Sequence, residues 1–397
     1  MVKPGSGNLL VMQSGGCTPV LNRSLVGVVR QAQERPSVEK MYGAAHGLEG
    51  ILEGKLVDLG KLSKVSWGRI ARTPGAALGS TRRKLRTEEV EVVLNTFKQH
   101  DIRFLFTIGG NDSAETGLAI SRAARHAGYD LKVVNVPKTI DNDLVLTDHS
   151  PGYGSAARFV ALATIGAGQD AQAMGQASPI TIIEVMGRDT GWLAASAALA
   201  KQSERDAPHV IGLPEVPVEE SRFIDLIEDA YRRYGFAVAV IAENTRGPKG
   251  VLGDQSDPWF VDDFGHPYYD GPARYLAALV GQRLKVRARY EKPGTIQRSF
   301  MSAVSRTDAQ EAEMAGRAAV HRAFEGYTDE IVTLVREPGK RYVCTTGLAP
   351  LGQVAGQVQA MPEEYLDTDN YFVTPAFIEY ARPLIGSPLP RYGRVVH

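Results

Sequence analysis

At 397 residues, 43% of them hydrophobic and 23% charged, the chain can fill the cores of one large or two medium α/β domains. Its 45 Lys and Arg balance 45 Asp and Glu, so no global field draws in nucleic acid or a membrane surface, and an anionic ligand needs a local cluster of cations. Two cysteines, Cys17 and Cys344, exclude a disulfide framework and a zinc-ligand spacing, and no apolar run reaches membrane-spanning length, so a cytoplasmic protein is expected.

Leu9–Met12 reads as a buried strand running into Ser14-Gly15-Gly16-Cys17-Thr18. Pro19 suits a first helical position with Thr18 as N-cap, and Leu21, Leu25, Val28 and Ala32 predict an amphipathic helix over 19–34. Such a strand–glycine–helix unit aims backbone N–H groups at whatever lies above the strand, which suits an anion. The glycine-spaced stretch 42–54 is expected to turn over a sheet edge. Arg82-Arg83-Lys84 has two readings, a solvated basic face or a clamp on a polyanion.

Phe104–Ile108 is a second buried strand, closed by Gly109-Gly110-Asn111-Asp112-Ser113 before a helix expected from Ala114 to about Gly128. Asp112 serves either as that helix's N-cap or beside a metal bridging it to a phosphate. A third strand, Val133–Val136, is stopped by Pro137 and delivers Lys138, Thr139, Asp141, Asn142 and Asp143. One ammonium, one hydroxyl and two carboxylates so close together suit phosphoryl transfer; an Asp/Asn-rich turn is the plain alternative.

Ser150–Ser155 reads as a hinge, followed by a helix from about Ala156. Strands at 180–185 and 237–242 end in Met186-Gly187-Arg188 and Glu243-Asn244, with a helix between them beginning near Trp192. Polar and glycine clusters at the C-terminal ends of strands mark the ligand edge of an open parallel α/β sheet. Residues 247–271 predict a long surface loop; helices are expected at 272–286 and 308–325, a strand at 331–335, and a proline-rich tail wrapping the surface. Arg287, Arg289 and Arg298 cluster in sequence, and the planar fork of arginine suits a terminal phosphate. Cys17 reads as a small turn filler, His46 and His209 as structural, and Trp192 and Trp259 as packing residues.

Taken in order and spacing, Ser14-Gly15-Gly16, Leu78-Gly79-Ser80, Gly109–Ser113, Thr139–Asp143, Met186-Gly187-Arg188 and Ile296-Gln297-Arg298 resemble the phosphofructokinases, from about residue 8 to 325 with the tail in agreement. The resemblance implies two Rossmann-like three-layer α/β/α domains with mainly parallel sheets. Residues 1–152 would bind the phosphoryl donor and 153–297 fructose 6-phosphate, with 298–397 a helix returning to the donor domain plus a tail on both. ATP-using members usually carry glycine where this chain has Asp112 and Lys138. The diphosphate-using branch resembles this chain at both positions, and at Gly191-Trp192-Leu193 and Pro362-Glu363-Glu364.

By the same resemblance, Asp141 takes the proton of the sugar 1-hydroxyl, with Lys138, Asp112, Thr139 and Asp143 completing the catalytic set. Gly15, Gly16, Arg82, Gly110 and Ser113 contact the donor. Thr139, Asp141, Met186, Gly187, Arg188, Glu243, Arg289, Thr295 and Arg298 contact the sugar phosphate. Mg²⁺ is held through Asn111 and Asp112, and the partners are diphosphate and fructose 6-phosphate in a homodimer or homotetramer. Asn111 departs from the family's usual aspartate, Thr295 from its His or Tyr, and Pro179 from a basic residue that many ATP-users lend to a neighbouring subunit. The alternatives are an ATP-dependent kinase and a non-catalytic sugar-phosphate sensor. A dinucleotide-binding protein is excluded because the first turn lacks the third glycine of GxGxxG.

Overall fold

The computed structural model describes residues 6–253, 260–261, 267–268, 271–393 and 395. Trp259 and the tip of the predicted 247–271 loop lie outside the described residues. In chain order the first half comprises β1 (Gly7–Gln13), α1 (Leu21–Gln33), β2 (Val38–Ala44), α2 (Leu48–Leu52), β3 (Leu56–Asp58), α3 (Lys64–Ile70), α4 (Val90–Gln99), β4 (Ile102–Gly109), α5 (Asn111–His126) and β5 (Lys132–Pro137). Then come α6 (Tyr153–Met174), β6 (Ile180–Val185), α7 (Trp192–Ala195), β7 (Val210–Gly212), α8 (Glu220–Tyr234) and β8 (Ala237–Ala242). Two ribbons follow, β9 (Arg246–Gly247) with β10 (Gly250–Val251) and β11 (Phe260–Val261) with β12 (Pro267–Tyr268). The chain continues through α9 (Pro272–Leu284), β13 (Ala288–Glu291), α10 (Arg306–Phe324), β14 (Glu330–Arg336), β15 (Cys344–Pro350), α11 (Leu351–Val354) and α12 (Pro375–Ala381).

Seven strands in the order β15-β14-β5-β4-β1-β2-β3 form the first sheet, parallel except at its two edges; β13-β6-β8-β7 form a second, parallel throughout. Alternate residues of each strand supply opposite faces. Leu9, Val11, Phe104 and Phe106 pack with α1 and α10, while Leu10, Met12, Leu105 and Val133 pack with α2, α4 and α5. In the second sheet Ile183, Val185, Val238 and Val240 face α6 and α12, and Ile180, Ile182, Ala239 and Ile241 face α8 and α9. Strands buried on both faces read as continuous apolar runs, which is why their sequences were legible.

Several expected boundaries move. The first helix starts at Leu21, not Pro19: Thr18 accepts the Leu21 N–H through its backbone carbonyl, at 3.3 Å, and its hydroxyl caps nothing. The second begins at Asn111, so Asn111 and Asp112 lie in its first turn. The third begins at Tyr153, where the buried Asp308 carboxylate caps the Gly152 and Ser155 N–H groups at 2.8 and 2.9 Å. Residues 42–44 do not turn over an edge; they belong to β2, hydrogen-bonded beside β1. The tail does not merely wrap the surface. β15 joins the first sheet, and Phe377, Tyr380 and Ala381 of α12 are buried in the second core.

α10 returns to the first sheet and crosses α1 at close range. A Cβ at Gly27 would lie 2.2 Å from the Glu313 carbonyl oxygen, and one at Gly316 2.1 Å from that of Ser24. The two glycines let the helix backbones touch, so the segment after β13 is locked onto the first sheet.

Candidate active site

The C-terminal ends of β1, β4, β5, β6 and β8 carry the groups singled out in the sequence. After β1, Gly15 takes φ 76° and donates its N–H to the Thr81 carbonyl at 2.8 Å, while Ser80 Oγ donates to the Gly15 carbonyl at 2.6 Å. These bonds bring the basic loop, and Arg82 with it, alongside the first turn. Arg83 is committed to Glu89, so the three adjacent cations do not act as one clamp.

After β4, the Asn111 Oδ1 is buried without a hydrogen-bond partner, and Asp112 stands in the first turn of α5, where the helix dipole favours negative charge. Ser113 is buried against Gly109, and its N–H is spent on the Gly110 carbonyl at 3.1 Å.

After β5, Lys138 is 4% exposed and donates from Nζ to the Gly16 carbonyl at 2.6 Å. Burial pushes its ammonium down to about 8; Cys17 and Asp141 oppose that shift, and Arg188 and Arg298 reinforce it. Thr139 Oγ1 accepts the Asp141 N–H at 3.0 Å, folding the turn so that both aspartates face inward. Burial, with Asp141 beside it, pushes the Asp143 carboxyl up to about 6.

From the second sheet, Arg188 takes φ 52° and donates its N–H to Glu243 Oε1 at 3.0 Å, and its Nε lies 3.7 Å from Asp141 Oδ2. Burial disfavours the Arg188 guanidinium, but Asp141, Asp143, Asp112 and Glu243 outweigh that and hold its pKa above the ordinary value. Burial also raises the Glu243 carboxyl, with Asp141 adding to the effect. One arginine thus ties the carboxylates of both sheets together, Glu243 through its backbone N–H and Asp141 through its guanidinium. Met186 donates its N–H to Gln297 Oε1 at 3.2 Å, seating the 294–298 turn against the end of β6.

Arg289 and Arg298 are not brought together. Arg298 packs on the Gly16 backbone, where a Cβ would lie 2.5 Å from its Nη1. Arg289 pairs opposite Thr181 at the start of β6 and binds Asp170. That register is five residues before Met186, roughly 17 Å along the strand. A strand and a turn separate the two arginines, which closeness in sequence cannot reveal. Thr295 is exposed on the 294–298 turn.

Sequence reasoning missed one pair. Glu184, 2% exposed on β6, accepts the Ala273 N–H at 3.1 Å and holds Lys292 Nζ at 2.6 Å, next to Glu243. An acidic residue inside an apolar strand was the available signal.

The family described as phosphofructokinase matches residues 8–323. The chain belongs to the phosphofructokinase family. It is 38% identical over 392 residues to the pyrophosphate–fructose 6-phosphate 1-phosphotransferase of Xanthomonas campestris pv. campestris, covering 97% of this chain and 93% of that one. It is 37% identical over 390 residues to the enzyme of the same name from Rhodospirillum rubrum, covering 97% and 95%. The fold is similar to the crystal structure of a pyrophosphate-dependent phosphofructokinase from Nitrosospira multiformis, with TM-score 0.89 and 32% identity over 98% of this chain and 95% of that one. This phosphofructokinase therefore shares its tail, and not only the matched 8–323 segment, with those relatives.

Proposed function

We infer that this phosphofructokinase transfers a phosphoryl group from diphosphate to the 1-hydroxyl of fructose 6-phosphate, releasing phosphate and fructose 1,6-bisphosphate. The observation that carries this reading is Lys138: a buried ammonium fastened to the first glycine turn, with Arg188 acting on it and Asp112 acting on Arg188 in turn. A small, highly charged donor without a nucleoside handle needs a cation at that place. Asp112 occupies the room and the charge that a nucleotide's α-phosphate would need.

In the forward direction Asp141 accepts the proton of the 1-hydroxyl as its oxygen bonds to phosphorus. The bridging phosphoanhydride bond breaks, and phosphate leaves with the electron pair. Phosphoryl transfer asks chiefly for positioning and charge neutralisation. Arg188 and Lys138 neutralise charge, Thr139 sets the Asp141 turn, and Gly15, Gly16 and Arg82 line the donor side. Met186, Gly187, Glu243 and Arg298 line the sugar side. Asp143, holding a proton more readily than an ordinary carboxyl, stands behind Asp141.

A divalent metal fits the donor side, because Asn111 Oδ1 is a buried oxygen with no partner and Asp112 supplies a carboxylate next to it in sequence. Mg²⁺ there would neutralise charge on the diphosphate. Residues 1–152 as donor domain, 153–297 as sugar domain, a homodimer or homotetramer, and residence in the cytoplasm belong to the same proposal. Without a nucleotide leaving group the free-energy gap is small, so the reaction runs in both directions.

Purified protein offered diphosphate or ATP with fructose 6-phosphate tests the donor. Phosphate release with diphosphate, and its consumption in the reverse direction, is the expected result; strict dependence on ATP refutes it.

A further inference from the structure

We propose that Tyr380, in the C-terminal tail, is a positioning residue for phosphoryl transfer, its hydroxyl holding the Asn142 side chain and so setting the direction of Asp141. This rests on the reading of Asp141 as the base.

Asn142 lies between Asp141 and Asp143 in the left-handed region, at φ 59°, which asparagine tolerates better than most residues. Its side chain is 2% exposed, and both of its polar atoms are hydrogen-bonded. Oδ1 accepts the Ser150 N–H at 2.9 Å, and Nδ2 donates to the Tyr380 hydroxyl at 2.9 Å. The hydroxyl in turn donates to the Asp148 carbonyl at 2.9 Å. One hydroxyl thus accepts from the turn that carries Asp141 and donates to the segment by which that turn leaves.

Tyr380 is itself immobilised. Its ring packs with Trp192, Tyr365 and Phe377 in the second core. The Arg336 guanidinium lies 4.7 Å from the ring centroid and donates to the Tyr380 carbonyl at 3.0 Å and to Asp148 Oδ2 at 3.1 Å. Asp148 Oδ2 also bonds His149 Nδ1, whose Nε2 bonds Glu311 of α10, each at 2.8 Å. His149, Glu311 and Cys344 bring three potential metal-ligand atoms within 4.8 Å of one another. The His149 and Glu311 atoms are already hydrogen-bonded to each other, so the cluster belongs to this scaffold. The tail therefore connects the core of the second sheet to the base-carrying turn of the first.

Tyr380→Phe keeps the ring and removes only the hydroxyl. A turn loosened by a fraction of an ångström costs rate rather than affinity, so kcat should fall roughly 10- to 100-fold while both KM values stay within about threefold. Tyr365→Phe, whose ring is 5.5 Å from that of Tyr380, should leave kcat unchanged. Asn142→Gly tolerates the positive φ and removes the other half of the bond. The double variant should lose no more than Asn142→Gly alone. Additive losses, wild-type kcat in Tyr380→Phe, or an effect seen only in thermal stability overturn the proposal. Asp141→Asn is assayed in parallel: if it keeps full turnover, the base assignment falls and this proposal with it. A dead Asp141→Asn beside a fully active Tyr380→Phe overturns the positioning role alone.

Discussion

Lys138 Nζ and the Gly16 carbonyl oxygen lie 2.6 Å apart, fastening the turn after β5 beneath the turn after β1. The ammonium stays buried because that oxygen and the neighbouring Asp141 compensate part of its lost hydration. It is therefore preorganised toward an anion bound between the two turns, which is where such a charge is worth most. Lys138→Met should lower kcat/KM for diphosphate by about 100-fold or more and change fructose 6-phosphate affinity little. Asp112→Gly with Lys138→Gly should weaken diphosphate use sharply without creating an efficient ATP enzyme. Steady-state kinetics with each donor reads both.

The same lysine predicts a pH limb. With its pKa down to about 8, the ammonium is present below that pH and lost above it. The kcat/KM for diphosphate should fall as pH rises through 8. Lys138→Arg, which keeps its charge at any accessible pH, should remove the limb even if its absolute rate is low. A limb that survives in Lys138→Arg refutes the assignment.

Asn111 Oδ1, buried and unpartnered, predicts a graded metal requirement. Asn111→Ala should raise the Mg²⁺ concentration needed for half-maximal rate, and Asn111→Asp should lower it, because a carboxylate adds formal charge to the oxygen donor. Titration of Mg²⁺ at saturating diphosphate checks the order; identical midpoints in all three proteins refute it.

His149 predicts a pH-dependent stability. Burial alone would lower its pKa, but Asp148 and Glu311 outweigh burial and hold the imidazolium up to about 9, among Tyr342, Cys344 and Arg336. Unfolded, the ring titrates near 6.5. The proton therefore stabilises the native state fully below pH 6.5, and that contribution is lost as pH rises through 9, by roughly 3 kcal/mol in total. Urea unfolding at pH 6.5 and 9.5 should show the loss in the wild type and a flatter dependence in His149→Gln.

The α1–α10 crossing predicts a large cost for small additions. Gly27→Val places its side chain into the Glu313 backbone, which cannot rotate away. Destabilisation of about 3 kcal/mol or more is expected from chemical denaturation. A shift below about 1 kcal/mol would mean that the helices slide apart freely.

Among particular elements, the clearest expectations were those with one dominant local cause. Ile180–Val185 and Ala237–Ala242 appear as expected because strands buried on both faces admit only apolar residues at nearly every position. β2 was missed because its first half is half-exposed and carries Glu39 and Lys40, and β15 because its residues alternate imperfectly. α8 had a signal that went unread: Phe223, Ile224, Ile227 and Ala230 form one buried face, closed by Gly235 at φ 80°.

The sequence by itself determined the glycine turns, the Lys138–Asp143 cluster and the family, because each is a short run whose chemistry depends on residues adjacent in the chain. Tertiary structure alone decided that Arg289 stands apart from Arg298 and that Tyr380 reaches Asn142. Those are relations between segments far apart in the chain or separated by a strand and a turn. They are set by sheet order and helix crossing, through which residues with no local relationship come within hydrogen-bonding distance or are carried out of it.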